Sequence, residues 1–521
     1  MTSNEIDETT ADPFCGFNLG STVYRATSDR TKPPRKYIFE SPVVQLAAEF
    51  KYRDVYEDGY DILDPEWDFD AEGKRTDNRL QNRSIVVFRY YDEASKLLGL
   101  GKTPPIDVFA KKLGELILRI RDLVAEKPDN DVTKDAFRCY LVAHSMGGLV
   151  CRAFLQDPKN DPANARRHVE KLFTYATPHN GIEMAGVNVP KWLRFDDINN
   201  FNQDRMKKYL ALPSTPEDKV HWIPEERFPI ENVFCMVGTN RLDYEVAMGL
   251  SRTFVGHGSD GLVKIENATA CELKKDGTPG RPAAKAFAFR AHSGYFGIVN
   301  SVEAFQNLAR FLFGDVRVDL WVDITGIRLP KTVAAEKAKG RDVRALYQVE
   351  VTASPKGKLW YLTRRSVEED SAACVTQEQW EKAPNGVSAH FLSTVFLSNR
   401  ARVDPSKATL SYNMTLGIRV PDYEIDRKLW INQHYEGGYL YRDALILLLN
   451  PPGATQGWGG KYAWQGKGFK AAQTPIALTE LDGGKMEGSI AFSSGTSSPG
   501  IDGNVRFVIS AWNKDAADDD D

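Results

Sequence analysis

Cysteine is scarce. The 521 residues hold six, Cys15, Cys139, Cys151, Cys235, Cys271 and Cys374, and no pair of them stands at metal-binding spacing. This excludes a disulfide-dense scaffold and a cysteine-based zinc module, and the expectation is free, mostly buried thiols in a reducing compartment. Long apolar runs are missing as well. The longest, Ala444 to Leu449, has the length of a strand, far short of the roughly 18 or more residues that a membrane-spanning helix needs. There is no basic excess: 67 Lys and Arg stand against 71 Asp and Glu, a net charge of −4, which argues against a general nucleic-acid binder. The opening Met1-Thr2-Ser3-Asn4-Glu5-Ile6-Asp7-Glu8 is polar and acidic, with neither the basic nor the apolar region of a secretory leader. The expected location is therefore cytoplasmic, with export by a machine that needs no N-terminal signal as the alternative.

What is present describes a globular chain, 42% hydrophobic and 26% charged, whose length suggests two to four domains. Two halves read differently. Up to Gly314, short apolar strands alternate with helical patterns, the signature of a mostly parallel sheet flanked by helices. Strands are expected at Lys36-Tyr37-Ile38-Phe39, Ser84 to Phe88, Cys139 to Ala143, Lys171 to Tyr175 and Val233 to Val237. Ile106, Phe109, Leu113, Leu116, Ile117, Ile120, Leu123 and Val124 form a helical stripe. A helix from Val302 to Phe313 closes the half, with Gly314 as its stop. Beyond it the period changes to two: Val316, Val318, Leu320, Val322 and Ile324 alternate with polar or aromatic residues, as do Leu410 to Val420 and Val505 to Ala511. This is the pattern of an all-β sandwich. The expected organisation is an α/β catalytic domain over 1–314, a β-sandwich over 315–514 and an acidic tail over 515–521.

Leu141-Val142-Ala143-His144-Ser145-Met146-Gly147-Gly148 carries the chemistry: a strand runs through a small-x-Ser-x-Gly-Gly turn into a helix. A nucleophile elbow needs this form, because small residues two before and two after the serine let strand and helix approach while the hydroxyl stands clear. The helix start then favours a developing oxyanion. A serine hydroxyl needs a histidine base, and the histidine needs a carboxylate to hold its tautomer.

The Ala-His-Ser-Met-Gly-Gly stretch resembles the elbow of serine lipases and esterases of the α/β-hydrolase superfamily. Phe173-Thr174-Tyr175-Ala176-Thr177-Pro178-His179-Asn180-Gly181 resembles the Thr-Pro-His-x-Gly strand end of lecithin–cholesterol-acyltransferase-like and GPI-inositol-deacylase-like lipases. Tyr90-Tyr91-Asp92 resembles their Tyr-Asp-Trp segment, with Glu93 in place of the Trp. The resemblance covers about Lys36 to Gly314 and leaves the β half out. It implies the chain order Ser, acid, His. His292, between a strand-like run and the last helix, stands where the family places its base; His257 is the rival. Asp260, in Gly258-Ser259-Asp260-Gly261-Leu262-Val263, resembles the family's Asp-Gly-x-Val acid, and Asp243 is the alternative.

The remaining site expectations follow. Met146 supplies one oxyanion donor through its backbone N–H. The second falls in Phe39-Glu40-Ser41-Pro42, on the backbone of Glu40 or Ser41, where the family's usual His-Gly or Pro-Gly loop is replaced. His144, His179 and Trp192 are expected beside the substrate. The aromatic insertion over 183–232 reads as a lid over an acyl pocket, or as a cap that only shields core. No metal or other cofactor is called for. The function implied is a serine ester hydrolase acting on carboxylic or lipid esters. An acyltransferase or a phospholipase-type effector would use the same triad, and a binding protein with decayed catalysis is the reading from another class. The β half is expected to meet a membrane surface or a protein partner.

Overall fold

The computed structural model describes residues 22–25, 35–38, 41–58, 62–69, 72–74, 79–88, 104–182, 201–213, 216, 219–241, 258–292, 297–425, 433–452, 457–468 and 474–513. They divide into two compact units, one of Met1–Ala284 with Arg290–Phe305, the other of Lys285–Phe289 with Gln306–Asp521.

In the first unit β1 (Thr22–Arg25) pairs antiparallel with β2 (Arg35–Ile38); helix α1 (Ser41–Phe50) follows, then the parallel pair β3 (Arg53–Asp58) and β4 (Ser84–Val87). Helix α2 (Ile106–Ala125) has Asp107 in its first turn, where an acid suits the helix dipole. It buries Ile106, Phe109, Leu113, Leu116, Ile117, Leu123 and Val124, the stripe read from the sequence, with Ile120 only half-buried. Gly114 lets it close on α3: a Cβ there would meet the Phe154 ring at 3.0 Å.

The elements that hold the site come next: β5 (Cys139–His144), α3 (Met146–Gln156), β6 (Val169–Tyr175), α4 (Gln203–Tyr209), β7 (Trp222–Pro224), β8 (Val233–Gly238), β9 (Cys271–Leu273) and β10 (Pro279–Pro282). β11 (Ala284–Ala288) and α5 (Val302–Phe313) each straddle the division, with Lys285 to Ala288 and Gln306 to Phe313 in the second unit. β6 lies between β5 and β8, parallel to both, in the order β8-β6-β5. Every residue of β8 is buried, as a parallel strand covered on both faces requires. β7, β9 and β10 form a separate three-stranded sheet.

The second unit holds β12 (Val316–Arg328), α6 (Lys331–Ala338), β13 (Val343–Pro355), β14 (Thr363–Arg365), β15 (Ala373–Thr376), α7 (Gln377–Glu381), β16 (Ser388–Leu397), β17 (Leu410–Ile425), β18 (Gln433–Asn450), β19 (Gly459–Trp464), β20 (Thr474–Pro475), β21 (Leu478–Leu481), β22 (Lys485–Ser493) and β23 (Gly500–Ala511). One sheet runs β16-β12-β23-β22-β21, the other β14-β13-β17-β18-β19-β20 with β15 on β13, and the registered pairs are antiparallel. Val316 to Ile324 from one sheet and Leu410 to Ile425 from the other lay their alternate side chains into one apolar core. That is a β-sandwich. Asp323 is buried and meets Arg506, whose Nε donates at 2.6 Å and Nη2 at 3.0 Å.

The described cysteines, Cys139, Cys151, Cys235, Cys271 and Cys374, are free thiols. Among the described residues no helix is long and apolar enough to cross a membrane.

Candidate active site

Ser145 sits between β5 and α3 with φ +52° and ψ −124°, a backbone state that costs an L-residue about 1–3 kcal/mol. The surroundings hold it there. Its N–H donates to the Tyr175 carbonyl at 2.9 Å, and the Gly148 N–H donates to the Ser145 carbonyl at 3.1 Å. Gly148 is required where the helix meets the strand end, since a Cβ would lie 2.2 Å from Thr177 Oγ1. Met146 opens α3, so its N–H has no acceptor inside the helix and lies at the positive end of the dipole. The first turn carries no acidic residue.

His292 Nε2 stands 3.0 Å from Ser145 Oγ, and its Nδ1 stands 2.9 Å from Asp260 Oδ2. A carboxylate only accepts, so Nδ1 carries the proton and Nε2 is the acceptor for the serine hydroxyl. Asp260 Oδ1 accepts from the Leu262 and Val263 N–H groups at 3.0 and 2.7 Å, and the Asp260 carbonyl accepts the His292 N–H at 2.9 Å. Gly258 (φ +69°) and Gly261 (φ +100°) give the loop its turn. At the end of β8, a Cβ on Gly238 would stand 2.8 Å from both Asp260 Cβ and the Arg290 carbonyl. All three side chains are buried.

His144 and His179 are buried too. The Nε2–H of His144 donates to the His292 carbonyl at 2.8 Å, and the two rings lie 4.9 Å apart. Burial, and then the neighbouring His292, lower the His144 pKa to about 3, so the ring is neutral. Thr174 Oγ1 donates to the Phe234 carbonyl and stands 3.1 Å from His179 Nε2, which therefore donates to it. Burial, then Arg152 and His221, hold the His179 pKa well below its ordinary value.

Arg152 on α3 was not singled out by the sequence reading. Its side chain is fully buried. Nη1 donates to the His179 carbonyl at 2.8 Å, Nη2 to the Val220 and Trp222 carbonyls at 2.9 and 2.8 Å, and Nε to Gln156 Oε1 at 2.8 Å. Burial lowers its pKa to about 10, still charged at neutral pH. One cation thus ties the helix after the nucleophile to the Thr-Pro-His turn and to the end of the insertion. Asn180 repeats the link: its Oδ1 accepts from Val220 N at 2.9 Å, and its Nδ2 donates to Asn267 Oδ1 at 3.0 Å.

Trp192, Asp243, His257 and Tyr90-Tyr91-Asp92 lie outside the described residues. Ser41 opens α1, so its N–H has no acceptor within that helix; its side chain is not described. Of the insertion over 183–232, the described part includes α4, with Phe201, Met206, Tyr209, Leu210 and Trp222 buried. Among the described residues no three His, Cys, Asp or Glu gather as metal ligands would.

Residues 108–210 match the model of the PGAP1-like alpha/beta domain family. No curated protein matches the sequence. Two solved structures are similar, both of the lipase BlEst2 of Bacillus licheniformis. The mature form is 18% identical, with 32% of this chain and 64% of that chain covered and a TM-score of 0.23. The propeptide form is 12% identical, with 67% and 85% covered and a TM-score of 0.24. This chain thus spans less than two thirds of the mature lipase it matches. With the family match lying across β5, α3 and β6, and the parallel sheet delivering Ser145 on its elbow, the first unit is an α/β-hydrolase fold of the lipase- and esterase-like type.

Proposed function

We propose that the chain is a serine ester hydrolase acting on carboxylic or lipid esters. The observation that carries this is the continuous hydrogen-bonded run from Ser145 Oγ through His292 to Asp260, on an elbow whose strain presents the hydroxyl. His292 Nε2 takes the hydroxyl proton as Oγ attacks the ester carbonyl, and Asp260 steadies the imidazolium that forms. The oxyanion falls at the start of α3, where the Met146 N–H donates, with the Ser41 backbone as the second donor. His292 then protonates the departing alcohol, and water releases the acyl group by the same steps in reverse. We assign His144 to holding the His292 backbone and His179 to the packing below it, and Trp192 to the substrate. The fold family and the aromatic insertion favour acyl chains as substrate.

The test is Ser145→Ala. The variant should lose both labelling by a fluorophosphonate and hydrolysis of a short chromogenic ester, with the circular dichroism of the parent. A variant that still labels fully at one site would move the nucleophile to another residue and end the proposal.

A further inference from the structure

Three chain segments leave the same end of the larger sheet in the β unit. Register puts Pro355 beside Tyr412, Leu410 beside Leu449 and Asn450 beside Gly459, and the Lys356 N–H donates to the Ser411 carbonyl at 3.0 Å. The segments 356–361 and 398–409, with Pro451-Pro452 and Gly457-Trp458, therefore share that end. The first carries Lys356 and Lys358; the second carries Arg400, Arg402 and Lys407 with one acid, Asp404; the third has no charge. Five cations less one carboxylate leave +4, and Asp404 is paired with Lys407 at 2.9 Å.

The same segments carry exposed aliphatic side chains. Leu359 is 102% exposed, as open as in an extended chain, and Val403 is 55% exposed. The base beneath Leu359 is packed. The Leu362 N–H donates to the Ala353 carbonyl at 2.8 Å, Asn307 Nδ2 donates to the Leu362 carbonyl at 2.8 Å, and the Arg310 guanidinium lies 5.1 Å from the half-buried Trp360 ring. The chain thus holds a leucine out in water, with Lys356 and Lys358 just before it and Trp360 and Tyr361 just after it.

We infer that this end of the β unit docks on an anionic lipid bilayer, with Leu359 entering the acyl region and the exposed lysine side chains meeting the headgroups. An aliphatic tip gains by transfer into lipid, cations gain from an anionic leaflet, and Trp and Tyr belong at the headgroup level between them. A protein partner fits less well, because the centre of a protein interface is depleted of lysine and charge, and here Lys356 and Lys358 immediately precede the most exposed apolar residue. The inference goes beyond the ester-hydrolase reading and does not depend on the triad.

Vesicle binding by the full-length chain tests it, with Ser145→Ala in place so that no lipid is consumed. Co-sedimentation should be seen with mixed phosphatidylcholine–phosphatidylserine vesicles, weaken as salt rises, and nearly vanish with phosphatidylcholine alone. Lys356→Ala with Lys358→Ala should weaken it about 25-fold, at about fivefold per cation, and Leu359→Ser about tenfold or more. Leu359 packs against nothing, so its variant should keep the parent's urea midpoint. Equal binding to both vesicle types would overturn the inference, as would full binding by both variants. So would no vesicle binding at all, including the case in which Leu359→Ser abolishes self-association or capture of a protein instead.

Discussion

Asp260 divides its carboxylate between two duties. Oδ1 closes its own turn through the Leu262 and Val263 N–H groups, and Oδ2 is left to hold His292 Nδ1–H. Asp260→Asn should keep the turn and lose the tautomer, so turnover should fall on the order of 10⁴-fold with little change in unfolding. Asp243→Asn should cost far less. Steady-state kinetics on the two variants decide; the reverse ranking would move the acid to the earlier loop. His144 makes a different demand, on pH. Its folded pKa of about 3 lies below the unfolded value of about 6.5. As pH falls through the unfolded pKa the unfolded chain takes up a proton that the folded chain refuses. Stability fully present above about pH 6.5 is therefore lost from there down to about pH 3, at up to about 1.4 kcal/mol per pH unit. His179 is shifted in the same direction and adds to the loss. His144→Gln keeps an N–H donor for the His292 carbonyl and does not titrate. Its urea midpoint should fall less between about pH 6.5 and about pH 5 than the parent's, and equal slopes would refute the assignment.

Among elements, α3 does the most for the site, and half of what it does could be read in advance. The elbow was legible because its needs are local: a serine between a strand and a helix, with glycines where the backbones meet. Gly148 against Thr177 is that local need seen in space. The α2 stripe and the alternation of β12 and β17 were legible for a related reason, since a long periodic run has one face to bury. Arg152 was not legible. An arginine on an amphipathic helix reads as a solvated side chain, and its acceptors lie 27, 68 and 70 residues away in sequence. The sheet of β7, β9 and β10 was missed because its strands are three or four residues long and two of them contain proline. Arg152→Met would keep the apolar stem and take the guanidinium donors from the His179 and Val220 carbonyls, while Gln156 Nε2 still donates to the Trp222 carbonyl at 3.3 Å. Since an unmatched buried acceptor costs about 1–3 kcal/mol and two are left, the variant should lose at least about 2 kcal/mol in chemical denaturation. Ester turnover should fall with it, through displacement of the turn that packs under β6. A variant within about 0.5 kcal/mol of the parent, the range of an ordinary surface change, would mean that water replaces the guanidinium.

At the scale of the whole molecule, the chain does not pass from one unit to the other only once. The sequence pattern suggested a boundary at Gly314, where the period changes. By compactness, Lys285–Phe289 groups with the β unit, Arg290–Phe305 with the hydrolase unit, and Gln306 onward with the β unit again. Inside the β unit, Ser393 Oγ donates to the Lys285 carbonyl at 2.9 Å, the Arg365 guanidinium lies 4.2 Å from the Phe287 ring, and Phe311 packs with Phe396 and Trp512. Trp512 Nε1 donates to the Phe311 carbonyl at 2.7 Å. A chain ending after Gly314 keeps Ser145, Asp260 and His292 but removes each of these partners. His292 then lies in a segment whose two flanks have lost their packing. Hydrogen bonds at 2.9 and 3.0 Å tolerate little displacement of the imidazole. The expected result is a fragment that aggregates through Phe287 and Phe311, or stays soluble with fluorophosphonate labelling of Ser145 sharply reduced. Co-expression with residues 315–521 should restore both solubility and labelling. A soluble 1–314 fragment labelled as fast as the full chain would show that the hydrolase unit keeps His292 in place by itself.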